Sequence, residues 1–294
     1  MNPYEADPAK IPDTDRYSDS LLYGRYKPCA SDFVPNPPPG PSTSDDVIRY
    51  WERVILDKCT QANRMYEMDG YRDTFAVGSI IVKSGHLHSK PLNRVNALGD
   101  ANEVAAIALA GDFCRKLGIQ VPTILFQGKI NENDVIVESR LPGVTLNVAW
   151  PYLTQAEKES FREQARELIK KLDELPRPPN VDPTVPSFVI PVADPVGSGV
   201  TDKERYEALF GKRDDVESEE KLGFAHNDLN DSNIIVQDGK ITGLIDWELA
   251  GWFGIKRAGF VQAHLRFPGQ GDYPDRDEDE VADLIYWSLI YEGL

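Results

Sequence analysis

The stretch that decides the fold is Phe224-Ala-His-Asn-Asp-Leu-Asn-Asp-Ser-Asn-Ile-Ile-Val236, which Ile241-Thr-Gly-Leu-Ile-Asp-Trp-Glu248 follows. Each segment contains a short β-prone run, and the dipeptide Asp238-Gly239 stands between the two runs. This dipeptide is favoured in two-residue hairpin turns. The sequence therefore predicts a β-hairpin with polar residues before its first strand and after its second strand.

The polar residues of this hairpin are suited to phosphoryl transfer. That reaction needs an acidic residue beside the attacking hydroxyl and oxygen ligands for Mg²⁺. The spacing of His226, Asp228 and Asn233 is that of a kinase catalytic loop. Taken alone, Asp228 would be an ordinary loop carboxylate, but the combination with Asn233 and Asp246 argues against this. We predict Asp228 as the catalytic base and Asn233 with Asp246 as metal ligands.

The segments His226-Asn-Asp228 through Asn233 and Ile245-Asp246-Trp-Glu resemble the motifs of the aminoglycoside phosphotransferase family, which includes choline kinases and many fungal proteins. The resemblance, to the fungal type in particular, implies an α+β, protein-kinase-like fold with two lobes. A small sheet and a helix would form the N-lobe, and the C-lobe would be mostly helical. It also implies a Mg²⁺- and ATP-dependent kinase that phosphorylates a hydroxyl group of a small molecule.

The resemblance extends upstream to a lysine and a glutamate. Ile80-Ile-Val-Lys83 is similar to the strand that carries the family's phosphate-binding lysine, and Glu103 is similar to its helix partner. A lysine can contact phosphate oxygens while a carboxylate fixes its position, and either charge is costly in a cleft if unpaired. The ordinary alternatives are a surface lysine at a strand end and a carboxylate at a helix start.

The segment Glu138-Ser-Arg140-Leu-Pro-Gly143 resembles the family's hinge, which meets adenine through backbone groups. The resemblance therefore makes Glu138 and Arg140 candidate ATP-binding residues. No G-x-G-x-x-G loop precedes Lys83, where the only nearby glycines are Gly70 and Gly78. This departure lowers the expectation of a protein kinase more than that of a small-molecule kinase.

Four further polar residues near the motifs are given no catalytic role. The resemblance makes His226 a structural contact under the loop, and Asn227 replaces the arginine that binds an activation-loop phosphate in protein kinases. Regulation by such a phosphate is therefore not expected. Asp231 faces either solvent or substrate, and Glu248 is either a supporting group or a charge at the end of the hairpin.

Apolar periodicity predicts the remaining elements. A capping box of Thr154 with Glu157 precedes the most regular of the helical patterns. Asp100, three residues before Glu103, is similar to a helix start. The predicted helices are 45–59, 100–118, 154–175, 202–210 and 279–294. The predicted strands are a hairpin within 65–84 and two runs at 121–126 and 135–139.

These elements divide the chain into three parts. Residues 1–43 form a proline-rich, irregular lead segment that either wraps the body or is mobile. Residues 44–141 form the nucleotide-binding N-lobe, and residues 142–294 form the C-lobe with the catalytic hairpin and acceptor site. Within the C-lobe, the proline- and charge-rich stretch 176–223 is predicted to be an insertion or a lid.

Composition restricts the partners. The formal net charge of −16 disfavours nucleic acid and anionic membranes, and it favours a small acceptor that is neutral or carries an amine. The acidic cluster 272–280 is either a solvated helix start or a wall of an amine-binding pocket. No apolar run reaches membrane-spanning length, and the N-terminus lacks secretory features, so a cytoplasmic location is expected. The three cysteines suggest neither disulfides nor zinc.

Two alternative functions remain open. A pseudokinase or nucleotide-binding module would keep the fold without transferring a phosphoryl group. The intact set of Asp228, Asn233 and Asp246 argues against it. A protein kinase is disfavoured because Asp246-Trp-Glu replaces Asp-Phe-Gly. Oligomeric state, the choice between ATP and GTP, and the identity of the acceptor do not follow from the sequence.

Overall fold

The computed structural model describes residues 15, 21–34, 36–38, 40, 42–67, 72–88, 96–179, 181–211, 222–265 and 278–294. The helices are α1 (Asp45–Lys58), α2 (Ala97–Lys116), α3 (Leu146–Ala149), α4 (Gln155–Asp173), α5 (Lys203–Phe210), α6 (Gly254–Leu265) and α7 (Glu278–Ser288). The strands are β1 (Arg64–Tyr66), β2 (Asp73–Val77), β3 (Ile80–Ser84), β4 (Ile124–Ile130), β5 (Asn133–Ser139), β6 (Val144–Thr145), β7 (Ser187–Phe188), β8 (Phe224–Ala225), β9 (Ile234–Gln237), β10 (Lys240–Leu244) and β11 (Gly251–Trp252).

The N-terminal half contains a five-stranded antiparallel sheet in the order β1-β2-β3-β5-β4. Successive residues of a strand point to opposite faces. Val82 belongs to the hydrophobic cluster that α1 covers through Trp51 and Ile55. Its neighbour Lys83 therefore lies on the other face, where α2 supplies Glu103. This alternation directs the lysine toward the interior between the two halves of the molecule.

The predicted catalytic hairpin is present as β9 and β10, and β6 pairs with β9 to complete a second sheet. Asp238 and Gly239 both have positive φ, at 51° and 72°, as the tight hairpin turn requires. Helix α4 packs against β8 and β10. The predicted α+β arrangement of a sheet-and-helix lobe followed by a mostly helical lobe is confirmed.

A third small sheet, in the order β7-β11-β8, holds the beginning of the catalytic loop. Its strands have only two residues each, too few for an alternating pattern to be visible in the sequence. Neither this sheet nor helix α6 was predicted from the sequence. Pairing of β8 with β11 fixes Phe224 and Ala225, which stand directly before His226.

Several predicted boundaries were wrong. Helix α2 begins at Ala97 and not at Asp100, because the Asp100 carboxylate is buried and pairs with Arg72 (2.7 Å) instead of capping a helix. Strand β4 begins at Ile124 and runs to Ile130, and α7 ends at Ser288. The helices predicted at 45–59, 154–175 and 202–210 are confirmed as α1, α4 and α5. The capping box of α4 forms, with the Thr154 hydroxyl accepting from the Glu157 amide.

The described part of the lead segment lies against the body. Leu22, Tyr23 and Tyr26 are all buried, so this part of the lead segment wraps the body, which was one of the two predicted alternatives.

Gly70 and positions 272–277 of the acidic cluster fall outside the described residues. Cys59 and Cys114 are buried, Cys29 is exposed, and all three are free thiols. Within the described ranges, no helix is both long and apolar enough to cross a membrane.

Candidate active site

The Asp228 carboxylate is held by two asparagine side chains of its own loop. Asn233 Nδ2 donates to Asp228 Oδ2 (3.1 Å) and to the Asp228 carbonyl (2.9 Å), and Asn230 Nδ2 donates to Asp228 Oδ1 (2.9 Å). Asp228 is only 5% exposed. Both carboxylate oxygens therefore have fixed positions, as a group that must align with a substrate hydroxyl requires.

The two residues before Asp228 fasten the loop to the end of the hairpin. The His226 Nε2 lies 3.1 Å from the Ile245 carbonyl, and the imidazole packs on the Trp247 ring at 4.6 Å between centroids. Asn227 has a positive φ of 62° and donates through Nδ2 to the Leu249 carbonyl (2.9 Å). Burial lowers the pKa of His226. These contacts are the structural role that the sequence analysis predicted for His226.

Lys83 connects the N-terminal sheet to the hairpin. Its Nζ donates to both Glu103 oxygens (3.0 and 2.9 Å) and to Asp246 Oδ1 (3.1 Å). Glu103 also accepts from the Trp247 amide (3.2 Å), so the glutamate is anchored to the residue after Asp246. The predicted pairing of Lys83 with Glu103 is present, and the two predicted sites form one hydrogen-bonded cluster.

Glu138 belongs to the same cluster through its side chain. In the pairing of β3 with β5, Ile81 opposes Glu138 and Lys83 opposes Ile136, which puts Glu138 and Lys83 on one face of the sheet. The Glu138 side chain is buried, and its Oε2 has no hydrogen-bond partner among the described residues. The resemblance to a hinge implied a backbone contact for Glu138, whereas the structure directs its carboxylate toward Lys83.

Carboxylates outnumber cations around this cluster, which favours the neutral form of a buried carboxyl group or the binding of another cation. Burial, with Glu138 and Asp246 nearby, raises the pKa of Glu103 to about 8 despite the opposing charge of Lys83. Burial also raises the pKa of Glu138. Although burial opposes it, the charge of Lys83 lowers the pKa of Asp246 to about 2. The groups concerned are the cations Lys83 and Arg72 and the carboxylates Glu103, Glu138, Asp246 and Asp100.

Asn233 and Asp246 are suited to holding Mg²⁺. The Ile245 amide donates to the Asn233 carbonyl (3.1 Å), which places the two predicted ligands side by side at the open end of the hairpin. Because Asn233 Nδ2 is engaged by Asp228, its side-chain oxygen is the atom left for a metal, and Asp246 supplies carboxylate oxygen. Among the described residues, no group of three or more His, Cys, Asp or Glu side chains could hold a metal ion. The proposed pair of ligands is not such a group, because Asp246 is its only acidic member and Asn233 is an amide.

The predicted hinge is engaged with neighbouring segments. The Arg140 amide donates to the Ser79 carbonyl (2.9 Å), and its Nε donates to the Gly78 carbonyl (3.1 Å). Arg140 thus ties the end of β5 to the turn between β2 and β3. A nucleotide contact of Arg140 stays a prediction. The next residue, Leu141, bonds through both backbone groups to the hydroxyl of Tyr23.

Sequence reasoning missed Asn230, Arg205 and Trp287 at this site. The Arg205 guanidinium on α5 is buried and lies 3.9 Å from Asp228 Oδ1. Trp287 on α7 donates to the Leu229 carbonyl (2.9 Å) and so supports the catalytic loop. The helix start at Asp202 was visible in the sequence, but nothing local indicated which loop that helix would contact.

Three comparisons with known proteins bear on this site. The model of the phosphotransferase enzyme family (APH) matches residues 92–253. No curated protein matches the chain. The streptomycin–ATP complex of APH(2″)-IIa is 14% identical over 82% of this chain and 81% of that chain, with a TM-score of 0.46. The ADP-bound APH(2″)-Ib is 14% identical over 83% and 82%, with a TM-score of 0.48. A thermostable mutant of APH(4)-Ia, in apo form, is 14% identical over 78% and 83%, with a TM-score of 0.44.

The sheet-and-helix lobe, the mostly helical lobe and the hairpin that the second lobe carries define the class of protein-kinase-like folds. The match to the family model spans more than half of the chain, so the chain belongs to the phosphotransferase enzyme family. The family membership that the motifs around Asp228 and Asp246 indicated is thereby confirmed, whereas the fungal type stays a prediction.

Glu103 should make the stability of the protein depend on pH. Because its folded pKa of about 8 exceeds the ordinary value of 4.5, its contribution is fully present below pH 4.5 and is lost as pH rises through 8. We therefore expect the unfolding free energy of Glu103→Gln to fall less, or to rise more, than that of wild type between pH 4.5 and 8. The lowered pKa of His226 adds the same opposing rise to both proteins. Asp246 does not interfere, since its lowered pKa acts only below about pH 4.

Urea unfolding at pH 5 and pH 8 measures this difference, with Glu159→Gln as the matched control. Glu159 is an exposed carboxylate on α4, so its replacement should leave the pH dependence as in wild type. An unchanged pH dependence in Glu103→Gln would mean that Lys83 keeps Glu103 ionised throughout this range.

Proposed function

We propose that the chain is a Mg²⁺- and ATP-dependent kinase that transfers the γ-phosphoryl group to a hydroxyl group of a small molecule. The observation that carries this proposal is the hydrogen-bonded cluster of Lys83, Glu103 and Asp246 beside the loop that fixes Asp228. Membership of a phosphotransferase family supports it. In this cluster Lys83 is a cation suited to binding phosphate oxygens, and Asp246 is a carboxylate suited to binding Mg²⁺. Both lie near Asp228, the proposed base.

Each residue has a defined task in the transfer. Asp228 orients the acceptor hydroxyl and takes its proton as the new oxygen–phosphorus bond forms and the bond to the departing ADP breaks. Lys83 binds phosphate oxygens, and Glu103 holds Lys83 in place. Asn233 and Asp246 hold Mg²⁺, which when bound neutralises the phosphate charges. The two asparagine contacts of Asp228 keep its carboxylate aligned without substrate.

The alternatives of a pseudokinase and a protein kinase are separated by a turnover assay. Purified protein is incubated with γ-labelled ATP, Mg²⁺ and panels of amines, sugars, a metabolite extract and a generic protein substrate, with Asp228→Asn as the inactive reference. We expect label to appear in a small molecule with wild type only. Nucleotide binding without transfer to any acceptor would favour a binding module, and transfer to protein would favour a protein kinase.

Charges near the base bear on the acceptor class. The net charge of −16 attracts cations over the whole surface, which supports an acceptor that carries an amine. Arg205, however, stands beside Asp228, so an amine would have to bind away from this guanidinium. An acceptor with its hydroxyl near Asp228 and its amine toward other acidic groups satisfies both observations.

If acidic residues steer a cationic acceptor, its KM should rise with salt. The screening length falls from about 30 Å at 0.01 M to about 8 Å at 0.15 M, so we expect roughly a threefold or larger rise in KM over this interval. Asp275→Asn with Asp277→Asn should raise KM at low salt and weaken its salt dependence. Glu159→Gln with Glu163→Gln, on exposed positions of α4, is the matched control. A neutral acceptor, or a KM that salt leaves unchanged, would contradict steering.

A further inference from the structure

Tyr23 of the lead segment forms hydrogen bonds with the backbone of Leu141, in the segment that connects the two lobes. The Tyr23 hydroxyl donates to the Leu141 carbonyl (3.1 Å) and accepts from the Leu141 amide. Tyr23 is 3% exposed and is separated from Leu141 by 118 positions. One phenol thus uses both the donor and the acceptor that Leu141 offers at this edge.

The Tyr23 ring belongs to a hydrophobic cluster contributed by both lobes. Ala76 and Ile81 are neighbours on the inner face of the N-terminal sheet, where the strand pairing opposes them. Ile235 and Ile245 come from the hairpin of the other lobe. A flat ring in this cluster therefore has apolar surface from both lobes and polar backbone groups at its edge.

This hydrophobic cluster lies next to the proposed phosphate and metal site. Ile81 precedes Lys83 by two positions and so shares its face of β3, at a separation of about 7 Å along the strand. On the hairpin, Ile235 lies two positions after Asn233, and Ile245 directly precedes Asp246. The same segments therefore carry apolar side chains into the cluster and polar or charged side chains into the site next to it.

A purine base needs apolar surface on both faces and backbone hydrogen-bonding groups at its edge. The phenol of Tyr23 uses groups of these two kinds. Resting on the proposed function, we propose that Leu21–Tyr26 is an intramolecular plug of the nucleotide-base pocket, and that ATP binds after Tyr23 has left it. The segment is then a built-in competitor of the nucleotide.

The plug is also fastened by the backbone of Tyr23 and by the side chain of Tyr26. The Thr145 amide donates to the Tyr23 carbonyl (3.2 Å), and the Gly78 amide donates to the Tyr26 hydroxyl (2.8 Å). Gly24 has a φ of +98°, and a Cβ at this position would lie 2.2 Å from Val144 Cγ1. A residue other than glycine cannot keep this approach, so Gly24→Ala should release the plug without altering Tyr23 itself.

Nucleotide affinity tests the plug, because apparent Kd equals intrinsic Kd divided by the fraction of open molecules. Titration calorimetry with the Mg²⁺ complex of a non-hydrolysable ATP analogue should give a Kd about tenfold lower for Tyr23→Ala and Gly24→Ala, and about threefold lower for Tyr23→Phe. Tyr23→Phe retains the ring and its packing and removes only the hydroxyl. A lower Kd in this variant would therefore result from the lost hydrogen bonds and not from a disrupted fold. Ala30→Ser, at an exposed position of the lead segment outside the plug, should leave Kd unchanged.

Limited trypsin digestion of the full chain gives a second readout. Arg25 lies within the plug and is only 7% exposed, so nucleotide should accelerate cleavage after Arg25 in wild type as the plug leaves its place. Unchanged or slower cleavage on nucleotide binding, or a Kd that Tyr23→Phe and Gly24→Ala do not lower, would overturn the plug while leaving the kinase proposal standing. Absence of nucleotide binding in wild type and in every variant would instead overturn the proposed function, and the plug with it.

Discussion

Replacing Asp228 with asparagine should lower turnover by about two orders of magnitude or more while nucleotide affinity stays near that of wild type. The amide cannot accept the proton of the acceptor hydroxyl. It also offers one acceptor oxygen where the carboxylate offers two, to Asn230 and to Asn233. One loop hydrogen bond is thus lost and one asparagine Nδ2 is left facing another donor, at a cost of about 1–3 kcal/mol, which is smaller than the usual stability of a domain.

Single-turnover kinetics with the identified acceptor, together with nucleotide titration, separates these effects. Asp231→Asn, in the same loop, is the matched control and should retain most of the turnover. If Asp228→Asn keeps near-normal turnover, the proton goes elsewhere and Asp228 is not the base. A loss of both turnover and nucleotide binding would indicate that Asp228 shapes the nucleotide site instead.

Replacing Asp246 with asparagine should cost several kcal/mol of transition-state stabilisation, equivalent to a loss of turnover of about a hundredfold or more. The substitution removes the charge that we assign to Mg²⁺ and that also pairs with Lys83 (3.1 Å). Lys83 keeps its two contacts with Glu103, so the lysine should remain in place. Stability at neutral pH should also fall, because Lys83 favours the ionised Asp246 carboxylate in the folded protein, as its lowered pKa indicates.

Measuring turnover against Mg²⁺ concentration identifies the role of Asp246. The variant should need a higher Mg²⁺ concentration for half-maximal turnover, whereas Asp228→Asn should not. Asp238→Asn, in the turn at the far end of the hairpin, is the control and should behave like wild type. An unchanged Mg²⁺ requirement in Asp246→Asn would mean that other residues hold the metal.

The amino-acid sequence by itself determined the hairpin and the order of its polar residues. Asp238 and Gly239 specify a tight turn, and the β-prone runs on either side specify pairing, so Asn233 and Asp246 must meet at the open end. The capping box at Thr154 likewise set the start of α4. These features depend on neighbours within a few positions along the chain, which is the range over which spacing carries information.

Tertiary structure alone decided which distant groups share the site. Glu138 faces Lys83 because of the register between β3 and β5, and a shift of one residue would turn its carboxylate to the opposite face. Arg205 and Tyr23 reach Asp228 and Leu141 through packing of segments far apart in the chain. No local pattern encodes such contacts, because they follow from how buried surfaces fit together after each element has formed.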